Sequence, residues 1–277
     1  MENKNDQVSA VMRTMMILEI LSKEELLGVT EIARRSKIHK STIFRFLNTL
    51  SRLGYVYRDS ATDRYGLSLK LNALVGIRSG SQDILRYASA PLEFLARETG
   101  ETIHLAILED GALVYLRKIE SQRSLRVVTM VSSVGDNVPM YCTGLGKAIL
   151  AWFSLGEQEK YIAHQEFTQF TEHTITNGPS LLKELAQIKE QGYAFDRQEH
   201  EEGVVCVAAP VFTSGQLPIA AISIAGPSIR MRDETLLRCV ELIQETSREI
   251  SEKLGTMDLK NVDDYTESPR QLIEAAI

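Results

Sequence analysis

The sequence predicts a two-domain α+β protein, and three observations support this prediction. A chain of 277 residues has room for about two domains at roughly 150 residues each. The first 67 residues show three helical patterns followed by two short β-like runs, which is typical of a winged helix-turn-helix. The remainder combines neighbouring strands with peripheral helices, as in an α+β domain around an antiparallel sheet. We therefore predict a winged helix-turn-helix at 1–67, a linker helix and hinge at 68–82, a second domain at 83–257 and a flexible tail at 258–277.

The three N-terminal helices are predicted from apolar spacing and from their end signals. Apolar residues three and four apart predict a first helix that ends near Ser22, and its expected buried stripe is Val8, Val11, Met15 and Leu18. Thr30 is placed to cap a second, short helix. The third helix begins at 40–41 and ends at Gly54, which suits the C′ position. Its expected core residues are Ile43, Phe44, Leu47, Leu50 and Leu53.

A hairpin and a linker helix are predicted next. Two β-like runs, 55–58 and 64–67, are joined by small polar residues that suit a hairpin loop, which we interpret as the wing. Leucines then continue at helical spacing, at 67, 71 and 74. We expect this linker helix to pair two protomers, and packing against its own domain is the alternative.

The second domain is predicted to contain both strands and helices. A long helix should run from Asp83 to Gly100, with a kink or break at Pro91. The predicted strands are 101–108, 113–120, 125–130, 204–212 and 219–226, with turns at 109–112 and 214–215. The further predicted helices are 143–153, 157–164, 180–191 and 233–255.

Charge is distributed unevenly along the chain, whose formal net charge is −6. The first 80 residues carry 13 basic and 8 acidic residues, a net charge of +5, whereas the rest carry 18 and 29, a net charge of −11. Between Thr30 and Arg58 seven basic residues accompany a single acidic one. A field of this sign attracts phosphate backbones, because binding releases condensed counterions. A solvated basic helix face would explain the charge equally well.

The third helix is the expected reading element for DNA, since helix-turn-helix proteins contact base edges with side chains from its first turns. Candidate contacts are His39, Lys40, Ser41, Thr42, Arg45 and Phe46 on the helix, and Arg58 and Arg64 on the wing. Arg45 is the first candidate for reading a base, because arginine pairs bidentately with guanine. Thr42 and Phe46 can contact a thymine methyl, and Lys40 lies where the helix dipole favours phosphate. His39 is either a backbone contact or a solvated turn residue.

Several other classes of function lack support in the sequence. The first 20 residues are charged and no window approaches about 18 consecutive apolar residues, so we exclude a secretory signal and a membrane span. Three cysteines without metal-ligand spacing indicate a reducing compartment, and we expect a cytoplasmic protein without a metal or cofactor. The run Gly144-Leu145-Gly146-Lys147 is too short for a P-loop. At a helix start, however, Gly144 and Leu145 offer backbone amides to a small carboxylate.

Ordered motifs in both domains occur in a known combination. The first domain contains Gly28-Val29-Thr30-Glu31-Ile32-Ala33, Lys40-Ser41-Thr42-Ile43-Phe44-Arg45-Phe46-Leu47 and Leu53-Gly54-Tyr55-Val56. The second contains Pro139-Met140-Tyr141, Thr143-Gly144-Leu145-Gly146-Lys147-Ala148, Gly192-Tyr193-Ala194-Phe195-Asp196, Gly203-Val204-Val205-Cys206-Val207 and Ala221-Ile222-Ser223-Ile224-Ala225. From about Val8 to Gly255 the sequence resembles the IclR family of bacterial transcription regulators. The resemblance implies a DNA-binding domain followed by a GAF- or profilin-like effector-binding domain.

The resemblance also implies a cavity for a small acid in the second domain. Its carboxylate would bind backbone amides at Gly144 and Leu145, with polar contacts from Asp196 and Ser223. The other implied lining residues are Val127, Met130, Val138, Val204 and Cys206. Where some members have a second serine this chain has Ala225, which removes a hydroxyl. Asp196 could instead be a surface carboxylate, Cys206 a buried apolar residue, and His104 either faces the cavity or is structural.

Within the family, the segments 101–105, 118–121, 124–126 and 201–203 are most similar to regulators of 2-keto-3-deoxygluconate and related sugar-acid catabolism. The resemblance thus implies a DNA-binding repressor of a catabolic operon. It would act on double-stranded operator DNA as a homodimer or homotetramer and respond to a sugar acid or keto acid.

Two alternatives to a DNA-binding regulator remain open. One is a hydrolase or other enzyme with Cys206 as nucleophile and His200 or His104 as its base, and the other is a sensor whose winged helix binds protein. The apolar strand around Cys206 disfavours the enzyme, because burial raises a thiol pKa. We therefore expect no enzymatic activity.

Overall fold

The computed structural model describes residues 8–71, 79–109, 112–125, 132–213 and 217–255. The chain divides into two compact units, Met1–Arg78 and Ser79–Ile277. Several predicted features lie wholly or partly outside the described residues: Leu74 of the linker, the centres of the turns at 109–112 and 214–215, most of the strand at 125–130 and the tail at 258–277.

The first unit contains the predicted helix-turn-helix and its wing. Its elements are α1 (Ser9–Leu21), α2 (Val29–Ser36), α3 (Lys40–Leu53), β1 (Val56–Arg58) and β2 (Tyr65–Leu67). Lys37 adopts a left-handed conformation, with φ of 55°, at the turn between α2 and α3. The strands β1 and β2 pair antiparallel, with Tyr57 opposite Gly66. The prediction of a winged helix-turn-helix is therefore confirmed.

The buried side of α1 differs from the predicted stripe. Val8, Val11 and Met15 are 63, 58 and 52% exposed, whereas Ile17 and Leu21 are buried. Both sets have helical spacing, so periodicity alone could not choose between them. The expected stripe was therefore wrong for Val8, Val11 and Met15, whereas its fourth member, Leu18, packs against the core with Ile17 and Leu21. Leu53, expected in the same core, is exposed at the last position of α3.

The second unit is a five-stranded antiparallel sheet with helices on both faces. Its elements are α4 (Ser79–Thr99), β3 (Thr102–Glu109), β4 (Ala112–Ile119), α5 (Gly144–Leu150), α6 (Leu155–His164), α7 (Gly178–Gln191), β5 (Ala194–Arg197), β6 (Val204–Phe212), β7 (Pro218–Pro227) and α8 (Asp233–Gly255). The strand order is β4-β3-β7-β6-β5, so the α+β prediction is confirmed. The edge strand β5 was not predicted as a strand. The predicted break at Pro91 is absent from α4, which continues through that residue.

The two faces of the sheet pack against different helices. On one face the apolar side chains of Ile103, Val207 and Ile224 form a core with residues of α4 and α8. On the other face Ala106, Ala208 and Ala221 form a second core with residues of α5 and α7. The small side chains on this second face let α5 lie close to the strands.

Glycine is required where α5 meets the chain before it. A Cβ atom added to Gly146 would overlap the backbone of Met140, and backbone cannot move aside as a side-chain end can. A Cβ atom on Gly144 would lie 3.2 Å from the Cβ atom of Ala208 and 3.6 Å from the amide nitrogen of Asp196. These contacts position the start of α5 above β5 and β6.

We predict that Gly146→Ala lowers the free energy of unfolding by about 3 kcal/mol, because the added methyl overpacks a backbone contact. The matched control is Gly156→Ala in α6, where nothing lies within 4 Å of the added atom. That control should raise stability by about 0.5 to 1 kcal/mol, since alanine favours a helix over glycine. Urea unfolding of the two variants measures both effects. Equal stability of the two variants would contradict this packing.

Candidate functional site

The start of α3 is built by a local cap. The ring Nδ1 of His39 lies 3.4 Å from the backbone nitrogen of Ser41, from which it accepts a hydrogen bond, and 2.8 Å from the Ser41 hydroxyl. His39 is therefore the N-cap of α3, a role that neither sequence interpretation included. Lys40, Ser41 and Arg45 are exposed, and Thr42 is half-buried.

Two phenylalanines on α3 have exchanged their predicted places. Phe44, expected in the core, is 44% exposed, while Phe46, expected to face outward, packs against the core around Ile43 and Leu47. The helical period explains the exchange, because residue 46 is three positions from 43 and lies beside the buried stripe. Phe44 and Asn48, four residues apart, lie on one exposed side of α3. The correction removes Phe46 from the candidate DNA contacts and adds Phe44 and Asn48.

The wing presents two arginines. Arg58 forms a 3.1 Å ion pair with Asp63, in which both side chains are more than half exposed. Exposed pairs of this kind contribute little stability, so Arg58 can exchange Asp63 for a phosphate at small cost. Arg64 is also exposed and lies 3.5 Å from the carbonyl oxygen of Leu26. Thus both predicted wing residues are accessible.

In the second unit, one half of the α5 face of the sheet is polar although it is buried. The register places His104 of β3 opposite Ser223 of β7, and Ser223 opposite Ala208 of β6. Asp196 of β5 lies opposite Cys206 of β6. His104, Ser223 and Asp196 are 1, 2 and 2% exposed. Each of the three side chains has a hydrogen-bonding partner within the protein. Because these buried polar groups converge beside the start of α5, this region is the candidate ligand site.

The first turn of α5 lies at the edge of this polar region. The Thr143 hydroxyl accepts a 3.0 Å hydrogen bond from the amide of Gly146 and donates a 2.6 Å bond to the carbonyl oxygen of Pro139. The amides of Gly144 and Leu145 precede any intrahelical acceptor, so they are available to an anion. The Gly144 backbone is also close to that of Asp196. The structure therefore brings Gly144 and Asp196 together, as the resemblance implies.

Asp196 is held as a buried acid. Its Oδ1 accepts hydrogen bonds of 2.7 and 3.4 Å from the backbone amides of Glu199 and His200. Burial, together with the nearby Glu199 carboxylate, raises the pKa of Asp196 to about 7, and the backbone donors and Lys147 only partly oppose this. The alternative of a surface carboxylate is thus wrong, and Asp196 can carry a proton near neutral pH.

A buried ion cluster supports the loop after β5. The fully buried Lys147 ammonium lies 2.5 Å from Glu199 Oε1 and 3.1 Å from Glu184 Oε1. Lys147 therefore neutralises carboxylates instead of cradling a phosphate, in agreement with the exclusion of a P-loop. The other oxygen of Glu199 is buried without a hydrogen-bond partner. The sequence analysis missed this cluster, although a lysine on a helix of otherwise apolar and glycine residues signals a buried partner.

The apolar lining is only partly where the resemblance implies. Val204 and Cys206 form a small cluster with Ala225 beside the polar region. Val138 and Leu145 instead pack in the core beneath α5. The two remaining implied lining residues, Val127 and Met130, lie outside the described residues. Burial raises the pKa of the Cys206 thiol, which disfavours the thiolate that a nucleophile needs.

Within the described part of the chain, no group of His, Cys, Asp and Glu side chains is arranged to hold a metal ion. None of its helices combines the length and apolar character that crossing a bilayer requires.

Comparison with known proteins gives a consistent result for both units. The family model "Bacterial transcriptional regulator IclR C-terminal" matches residues 79–252, and "IclR helix-turn-helix domain" matches residues 10–60. The HTH-type transcriptional regulator KdgR of Escherichia coli (strain K12) is 38% identical over 93% of this chain and 97% of its own. KdgR of Dickeya chrysanthemi is 36% identical over 93% of this chain and 84% of its own. The crystal structure of Thermotoga maritima IclR has a TM-score of 0.74 and 32% identity, and covers 90% of this chain and 100% of its own.

The raised pKa of Asp196 predicts a pH dependence of stability. The folded protein retains the Asp196 proton up to about pH 7, whereas the unfolded chain releases it near pH 4. Because the folded state binds more protons in this interval, the contribution of Asp196 to stability decreases as pH rises, by up to about 1.4 kcal/mol per pH unit.

Asp196→Asn, which keeps an acceptor for both backbone amides, should remove this slope. The measurement is urea unfolding of wild type and variant between pH 5 and 8. The difference in stability between them should move in favour of the variant as pH rises. A constant difference would show that Asp196 is ionised throughout.

Proposed function

Because this chain belongs to the IclR family of bacterial transcription regulators, we propose that it represses a catabolic operon and releases its operator when a small acid binds the second unit. As a family member it is a DNA-binding regulator with an effector-binding domain. The repressor role, the class of effector and the residues that bind each partner are our proposals. The observation that carries the proposed effector response is the buried polar region formed by Asp196, Ser223 and the start of α5.

The proposed DNA contacts follow from exposure on α3. Arg45 projects from the exposed side of α3 and pairs with guanine in the major groove. Phe44 lies one residue away and takes the role of apolar contact with a thymine methyl that Phe46 had been expected to fill. Lys40 at the helix start and Arg58 on the wing bind phosphates, which fixes the register on DNA.

The proposed effector is an acid whose carboxylate binds the amides of Gly144 and Leu145. A charged Asp196 beside such an anion would repel it, whereas a protonated Asp196 donates a hydrogen bond to it. The pKa of about 7 means that the proton costs little free energy near neutral pH. Ser223 offers a hydroxyl from the neighbouring strand. We propose a sugar acid or keto acid, and similarity to the two KdgR proteins supports the sugar-acid class.

Pairing of two chains fits the surface of the first unit. Val8, Val11, Met12 and Met15 give α1 an exposed apolar side. Large exposed apolar patches on soluble proteins mark interaction sites, so this side of α1 is a candidate pairing surface. We propose a homodimer, or a homotetramer built from dimers, that reads two half-sites about 10 base pairs or a multiple apart. The acid then acts by binding one arrangement of the DNA-binding units more tightly than another.

We predict that Arg45→Ala weakens operator binding by about 10- to 100-fold, because it removes a bidentate base contact. The measurement is a mobility-shift assay with the upstream region of the chain's own gene at two salt concentrations. Arg248→Ala, which removes an exposed arginine from α8 of the other unit, is the matched control and should bind as wild type. Unchanged binding of the Arg45 variant would remove α3 as the reading element. Absence of any DNA binding by wild type would favour a protein-binding winged helix.

We also predict that a panel of sugar acids and keto acids, 2-keto-3-deoxygluconate and pyruvate included, contains at least one that binds the wild-type chain in calorimetric titration. The same acid should release the operator. Asp196→Ala should weaken its binding by about tenfold or more, since a buried hydrogen-bond partner is lost. Glu172→Ala, an exposed carboxylate on a loop, is the control that should leave affinity unchanged. No heat with any acid would contradict the proposed effector class.

A further inference from the structure

His104 is a buried polar residue of the α5 face of the sheet to which the proposed function gives no role. We infer that His104 is a specificity-determining residue, which together with Ser223 forms a neutral pair that recognises a hydroxyl group of the ligand. This inference rests on the proposed function, because it assumes that an acid binds beside α5. It explains how the protein recognises the hydroxyl-bearing part of the ligand, which the carboxylate contacts do not touch.

The sheet places His104 at the far side of the polar region from α5. Gly144 lies over Ala208 on β6, Ser223 is opposite Ala208 on β7, and His104 is opposite Ser223 on β3. Adjacent strands are about 4.8 Å apart, so His104 lies about 10 Å across the sheet from the strand beneath Gly144. All side chains between them are small.

Ser223, the residue that contacts the ligand hydroxyl, lies on β7, which is one strand or about 4.8 Å from the strand beneath Gly144. A ligand whose carboxylate binds the amides of α5 therefore meets Ser223 with a hydroxyl a few bonds along its carbon chain. The geometry favours an acid that carries such a hydroxyl.

The imidazole of His104 is uncharged. Burial, with a smaller contribution from the positive charge of Lys118, lowers the pKa of His104 to about 3. A charged histidine here would attract the ligand carboxylate to the wrong end of the site. A neutral imidazole leaves the carboxylate to the amides of Gly144 and Leu145, and so sets one orientation of the ligand.

The hydrogen bonds of His104 determine what Ser223 can recognise. Its Nε2 lies 3.1 Å from the Ser132 hydroxyl and its Nδ1 lies 3.4 Å from the Ser223 hydroxyl. A neutral imidazole has one donor and one acceptor. With the proton on Nε2 and shared with Ser132, Nδ1 accepts the Ser223 proton, so the Ser223 oxygen can only accept a further hydrogen bond, which a ligand hydroxyl supplies. A keto or carboxylate oxygen carries no such proton.

Two neighbours make this pair specific. The Tyr115 ring packs against the His104 ring with centroids 5.3 Å apart, which limits rotation of the imidazole. Ala225, two residues after Ser223 on the same strand, offers no competing hydroxyl. On β7, Ser223 is therefore the residue that binds the ligand hydroxyl, and His104 orients the Ser223 side chain.

The test compares two amides at position 104. Asn places its amide near the Nδ1 position and keeps a partner for Ser223, whereas Gln places it near Nε2 and keeps only the partner for Ser132. The probes are 2-keto-3-deoxygluconate and D-gluconate, titrated by calorimetry into the full chain. For the probe that binds wild type more tightly, His104→Asn should stay within about twofold and His104→Gln should weaken binding by about tenfold.

A double variant separates a positioning role from loss of folding. Ser223→Ala alone should weaken the same probe about tenfold, and Ser223→Ala with His104→Gln should be no weaker, because the two residues act as one unit. If His104→Gln does not fold, as judged by its thermal unfolding, His104→Ala takes its place in the same comparison, because it also removes the partner of Ser223. If His104→Gln binds the probe as tightly as wild type, the inference is overturned. It is also overturned if the losses of affinity from His104→Gln and Ser223→Ala add in the double variant. Either result leaves the proposed effector class intact. If neither probe binds wild type, the inference is overturned. If no member of the wider panel of acids binds either, the proposed sugar-acid class is also wrong.

Discussion

The close approach of α5 to the sheet is the constraint on which the rest of the second unit depends. Gly144 lies against the methyl of Ala208, and Gly146 lies against the backbone of Met140, where any Cβ atom would collide. Because the helix can lie this close, its first amides open onto the polar half of the sheet and not onto solvent. Large side chains on β6 or in the first turn of α5 would lift the helix, and the buried side chains of Asp196 and Ser223 would then face open space.

The buried charges near α5 are arranged so that one acid is left without a cation of its own. Lys147 is shared between Glu184 and Glu199, and Asp196 receives only backbone donors. Burial therefore decides the protonation of Asp196, and the group can act as a donor to an anion near neutral pH. A cationic residue in the same place would hold a carboxylate more tightly but would not make binding depend on a proton.

The sequence was sufficient for the architecture and for part of the site, and the failures have identifiable physical causes. Apolar spacing located α3 and the two long central strands, and the ordered motifs placed Gly144, Asp196 and Ser223 in one region. Spacing could not choose between two apolar stripes on α1, since a helical period only orders residues relative to an unknown core direction. On α3 the predicted stripe of Ile43, Leu47 and Leu50 does place Phe46 nearer the core than Phe44, so the sequence carried a signal that the prediction missed. The edge strand β5 has four residues, too short for alternation to identify. The cap formed by His39 is local, but histidine is not among the usual N-cap residues. The pairing of His104 with Ser223 depends on strand register, which no local pattern encodes.

A crystal structure of the chain with the sugar acid that binds it most tightly tests the central claim most directly. The account predicts a carboxylate within hydrogen-bonding distance of the Gly144 and Leu145 amides, with the carbon chain crossing β6 toward β7. Density for the acid in a different place, for instance in the groove of about 510 Å³ lined by Glu101, Arg123 and Arg230, would contradict it.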